Sequence, residues 1–198
     1  MKVMKSLLCG LMVLAIAASV AAPAGATTLR RESLDDLVAG NGTIVLGEVV
    51  DAVSYWNNEG TFILTDVRIT PFEVLKGAVK GPELTITIMG GRVGDTTTLI
   101  VGGPRLIPGD SYMLFLNEED LPGARALTVR DLIQGIFDVR MDRDGLRAVS
   151  QATGHPLLPD AAGVADAPGG LAGTPLSSMM KTVRELVDRP ERIDREVN

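Results

Sequence analysis

Between Thr43 and Val149 the chain repeats one pattern: short runs in which aliphatic and β-branched residues alternate with polar ones, each closed by residues that turn the backbone. Ile44-Val45-Leu46 and Val49-Val50 lie in a run to Trp56, and Asn57-Asn58-Glu59-Gly60 follows as a hairpin turn. The return strand alternates through Ile63, Thr65, Val67 and Ile69, then changes phase to Phe72 and Val74 across Pro71. A proline with a phase change predicts a bulge, which bends a strand. Leu84, Ile86 and Ile88 alternate with threonines up to Gly90-Gly91, Thr96 to Val101 is a further candidate, and Pro108-Gly109-Asp110 turns the chain into Tyr112 to Leu116. That run is apolar in both phases, as a strand covered on both faces would be. Ala126 to Ile133, Ile136 to Met141 and Leu146 to Val149 complete the set, the last two joined by a hairpin at Asp142-Arg143-Asp144-Gly145. Strands at this spacing with no helical pattern between them predict an antiparallel all-β domain with peripheral helices.

The flanks carry the helices. Ser33-Leu34-Asp35-Asp36 has the spacing of a capping box and opens a short helix ending near Gly40. Thr174 as N-cap and Pro175 at the first helical position open a second, with Leu176, Met179, Met180, Val183 and Val187 on one face and Pro190 as its stop. Residues 151–173 are rich in Gly, Ala and Pro and read as a linker. At the other end, Lys2 and Lys5 precede an apolar run from Leu7 to Ala22, then Pro23-Ala24-Gly25-Ala26. This is the layout of a signal peptide cleaved after Ala26, for a secreted or periplasmic product that meets a membrane only during export. The predicted organisation is 1–26 signal peptide, 27–150 β-barrel domain with its N-terminal helix, 151–173 linker and 174–190 C-terminal helix.

Charge and composition narrow the function. With Lys2 and Lys5 removed, 17 of the 19 basic residues face all 25 acidic ones, a balance of −8 that opposes nucleic acid and anionic lipid. Cys9 leaves with the signal peptide, so the mature chain has neither disulfide nor thiol nucleophile. His155 is the only imidazole, which argues against a His/Cys metal centre and a Ser-His-acid triad; before Pro156 in the linker it reads as a solvated loop residue. Gly90-Gly91-Arg92-Val93-Gly94-Asp95 lacks the following helix a phosphate cradle needs, and Asp142 to Gly145 lacks the acids of a calcium loop at 140 and 151. Glu118-Glu119-Asp120 reads as a solvated acidic loop. No cofactor is expected. The candidate partner surface is the aromatic turn, Tyr55, Trp56, Asn57 and Asn58, with Arg92 from the glycine-rich turn.

Several of these segments resemble a family of uncharacterised secreted bacterial proteins over roughly residues 34 to 150: Ile44-Val45-Leu46-Gly47-Glu48-Val49, Val74-Leu75-Lys76-Gly77, Gly90-Gly91, Gly103-Pro104-Arg105, Pro108-Gly109-Asp110 and Gln134-Gly135-Ile136-Phe137-Asp138-Val139. More distantly, the layout is similar to the netrin-like barrel of tissue inhibitors of metalloproteinases, which implies a small antiparallel OB-like barrel with helices at its ends. Those inhibitors bind the protease zinc through an N-terminal cysteine, where this chain has Thr27. The expectation is a non-catalytic exported module for a protein partner, such as a secreted protease. A carboxylate-dependent hydrolase and a structural cell-envelope protein are the alternatives.

Overall fold

A computed structural model describes residues 30–129, 133–155 and 172–189; the predicted signal peptide and most of the predicted linker lie outside them. Helix α1 (Leu34–Gly40) is followed by strands β1 (Thr43–Trp56), β2 (Ile63–Lys76), β3 (Leu84–Met89), β4 (Gly91–Val93), β5 (Thr96–Thr98), β6 (Ser111–Leu121), β7 (Ala124–Val129), β8 (Ile136–Asp142), β9 (Gly145–Ser150) and β10 (Thr174–Pro175), then helix α2 (Leu176–Val187). The all-β fold with peripheral helices is as the sequence predicts. Eight strands form one antiparallel sheet in the order β10-β9-β8-β6-β1-β2-β3, with β7 also on β6, while β4 and β5 form a separate ribbon.

The OB-like barrel does not close. β3 packs against β7, but no ladder joins them. One edge of β6 serves two partners: Tyr112 to Leu114 pair with β8, and Leu116 to Leu121 pair with β7. The sheet therefore forks at β6 instead of running round to its own start.

Three register shifts interrupt the β1–β2 ladder, and the predicted bulge is one of them. Leu46 pairs with Glu73 and Gly47 with Pro71, leaving Phe72 as the extra residue. The strands come so close that a Cβ on Gly47 would lie 2.7 Å from the Thr70 carbonyl oxygen, so only glycine fits this bend.

Alternation then sends side chains to two different interiors. Ile44 and Leu46 of β1, Met113 and Phe115 of β6 and Phe137 of β8 point to one face, where Leu37 and Val38 of α1 and Leu176, Met179 and Val183 of α2 cover them. The Phe115 and Phe137 rings meet there at 5.6 Å between centroids. Val45, Val49, Val67, Ile69, Ile86, Tyr112, Leu114, Leu116 and Ile136 fill the concave side.

Several expected details shift. Helix α1 has its capping box, Asp36 N–H donating to Ser33 Oγ and the Asp36 carboxylate accepting from Ser33 N–H. Helix α2 begins one residue later than predicted and without a side-chain cap, because Thr174 and Pro175 are drawn into the ladder with β9. Gly90 ends β3 as expected, but the chain continues from Gly91 into β4, and the strand expected from Thr96 to Val101 stops at Thr98, where its partner β4 runs out. Glu118 to Asp120 lie within β6, paired with β7, and are not a loop.

Met179 is fully buried where α2 meets the sheet. Met179→Ala is expected to cost about 2–4 kcal/mol of unfolding free energy in urea titrations. A loss below about 0.5 kcal/mol, the range of ordinary surface changes, would show that α2 does not cover this face.

Candidate functional site

The aromatic turn expected to meet a partner divides into structural and exposed residues. Asn57 is buried: its Oδ1 accepts the N–H groups of Thr61 (2.8 Å) and Phe62 (3.0 Å), and its Nδ2 donates to Pro122 O (3.3 Å) in the β6–β7 turn. It fastens two turns together. Tyr55 donates its hydroxyl to Asp66 Oδ1 (3.0 Å), which also accepts from Thr87 Oγ1 (2.7 Å). Trp56 keeps 40% of its surface exposed, and Asn58 and Arg92 face solvent, the Arg92 Nε donating to Gly94 O at 3.0 Å.

Beside this end runs a segment that sequence reasoning took for a strand. Trp56 pairs with Ile63, the Ile63 carbonyl accepts the Gly90 N–H (2.9 Å), and a Cβ on Gly90 would lie 3.2 Å from Ile100 Cγ1. Ile100 is thus packed inward while its neighbours stand out: Leu99 is 81% and Val101 70% exposed. Two such side chains in solvent are costly to leave uncovered, and exposed apolar groups held on a fixed backbone are typical of contact surfaces. Gly103 N–H donates to Ile100 O (3.0 Å), closing the turn behind them.

The same connection leads into a cleft of about 360 Å³ lined by Gly102, Gly103, Arg105, Asp138, Arg140 and Gln151, among others. Asp138, on β8, is almost wholly buried. It accepts from Gln151 Nε2 (2.7 Å) and from Arg140 Nη2, and Arg105 Nη2 stands 3.8 Å away. Gln151 also grips the Arg105 backbone at both polar atoms, accepting its N–H (3.1 Å) and donating to its carbonyl (2.7 Å). One side-chain amide therefore sets the height of the 102–105 loop over the end of β9. His155 is not the solvated loop residue expected. Gln151 N–H bonds to Ile136 O (3.0 Å) and His155 N–H to Ala152 O (3.3 Å), folding the 151–155 turn onto the sheet, and the imidazole lies so close under Gly102 that a Cβ there would be 2.1 Å from Nε2.

This cleft was not foreseen, although its parts were in view. Gly103-Pro104-Arg105 and the segment from Gln134 to Val139 both belong to the resemblance, and the fold brings Arg105 to Asp138. Gln134, in the second, holds the chain before α1, accepting Glu32 N–H (2.8 Å) and donating to Arg30 O (2.9 Å). Among the described residues no group of three or more His, Cys, Asp and Glu is placed to hold a metal ion, and no helix is long and apolar enough to cross a membrane. Comparison with family models finds no match, and comparison with curated proteins finds none either.

Both tyrosines are held protonated. Burial raises the Tyr55 hydroxyl above its ordinary 10.0, helped by the hydrogen bond to Asp66 and its charge. Burial likewise raises Tyr112, with Asp110 and Asp138 adding to the effect while the Ile107 N–H and Arg105 oppose it. The folded state thus keeps protons that the unfolded chain releases near pH 10, so this contribution to stability is whole below about pH 10 and is lost as pH rises through the elevated values. The chain has no other tyrosine, so phenolate absorbance reports these two alone. Its appearance is expected at higher pH in the native protein than in urea; coincident titrations would show that neither hydroxyl is held.

Proposed function

We propose that this protein is an exported, non-catalytic interaction module that engages a protein partner through the end of the sheet carrying Trp56 and the 99–101 turn. One observation carries the reading: Leu99 and Val101 are presented to solvent from a turn whose middle residue, Ile100, is packed against Gly90. A turn pinned in this way loses little conformational entropy on binding, so more of the apolar contact appears as affinity. Trp56, half-exposed at the neighbouring hairpin end, supplies the residue type most often found at the centre of protein contacts. The corresponding role for Tyr55 and Asn57 is indirect: they hold the hairpin, while Asn58 and Arg92 stand at its rim.

Export follows from the signal-peptide pattern, and a secreted protease is the partner class to test first. Any inhibition would use this loop end, since Thr27 cannot take the place of a zinc-binding cysteine.

The mature chain, beginning at Thr27, is expected to retain a specific partner when immobilised and exposed to the culture fluid of its own source. Leu99→Ser with Val101→Ser should weaken that capture at least about tenfold, and Trp56→Ala should weaken it in the same direction, both with unchanged circular dichroism. Capture indifferent to all three substitutions, or no specific capture, would overturn the proposal.

A further inference from the structure

We propose that the cleft between the 102–105 loop and the β8–β9 end is a binding site for a ligand carboxylate, with Arg105 and Arg140 as its receptor. This site is separate from the partner surface at Trp56 and the 99–101 turn, which uses other residues.

Three features favour this chemistry. The first is charge: two guanidiniums share the single buried carboxylate of Asp138, leaving one positive charge in a protein whose overall balance is negative. A monoanion matches that excess, whereas a phosphate dianion would bring a second negative charge up against Asp138. The second is donor supply. Arg140 and Arg105 each approach Asp138 through Nη2 alone, and both side chains are more than half exposed. A guanidinium has five N–H donors in a planar fork, so each retains donors suited to a carboxylate.

The third is fixation. Asp138 anchors the Arg140 head group, and the Gln151 amide holds both the Asp138 carboxylate and the Arg105 backbone. The receptor is therefore assembled before a ligand arrives, which lowers the entropy cost of binding. Space is adequate, since about 360 Å³ falls within the ~300–1,000 Å³ usual for small-ligand clefts. Ile133 and Val149 add apolar lining for the rest of the ligand.

A carboxylate can come from a free small acid or from a peptide C-terminus. Titration of the mature chain with butyrate, trialanine, trialanine amide and inorganic phosphate, followed by calorimetry and by the arginine Nε–H resonances, separates these sources. Binding of butyrate or trialanine is expected, with shifts at Arg105 and Arg140, and no binding of the amide. Butyrate alone would identify a small acid, trialanine alone a chain terminus, and either result supports the site. Arg140→Gln and Arg105→Gln should each weaken binding about tenfold. Arg140→Gln also lowers the melting temperature because it leaves the buried Asp138 carboxylate without its direct charged partner, whereas Arg105, 3.8 Å away and largely exposed, is replaced with the melting temperature retained. The proposal is overturned if phosphate binds and the carboxylates do not, if the amide binds as well as the free peptide, if both variants bind like the parent chain, or if no carboxylate binds at millimolar concentration.

Discussion

Burial of β6 on both faces is the constraint from which the rest of this structure follows. Tyr112, Leu114 and Leu116 need one apolar environment, Met113 and Phe115 another, and all five are buried. A strand with two apolar faces is stable only as the middle of a layered structure. The concave side is supplied by the curl of β1, β2 and β3, and the outer side by α1 and α2. The helices are therefore structural: without them Met113, Phe115, Phe137, Ile44 and Leu46 would face water. Fully burying such a side chain is worth about 1.5–3 kcal/mol.

The same strand explains why the sheet forks. Its edge away from β1 binds β8 along the first half and β7 along the second. β8 and β9 are thereby carried away from the curled part, and the connection from β5 to β6 must cross between them. Gln151 and Asp138 catch that connection at Arg105, while Val49 receives its last residues through N–H and carbonyl bonds to Asp110 and Gly109 (3.0 and 2.8 Å). The exposed turn and the cleft are thus two parts of one crossover, positioned by strands on either side of the fork.

Much of the fold was legible in the sequence because the signals were local. Alternation marked most strands, Pro71 with its phase change marked the bulge, Ser33 and Asp36 marked the α1 capping box, and the doubly apolar run of β6 announced its burial. What could not be read depends on pairing between distant segments. Whether the barrel closes is set by how β6 divides its edge, and Thr174-Pro175 looked like a helix start because the β9 ladder that recruits it is not a local feature. The site was less legible still. Tyr55 and Asn57 carried the residue types of a binding surface, yet their polar atoms are spent on Asp66, Thr61, Phe62 and Pro122. Arg105, Asp138 and Gln151 lie far apart in the chain, and no spacing rule connects them.

Native-state hydrogen exchange of the protein reports directly on how β6 is enclosed. If β6 is the strand enclosed by both apolar layers, the paired amides between Tyr112 and Leu116, with those of β1 between Ile44 and Val49, should exchange last, through global unfolding only. Exchange of these amides as early as those of the β4–β5 ribbon would show that two separate cores do not meet across this strand.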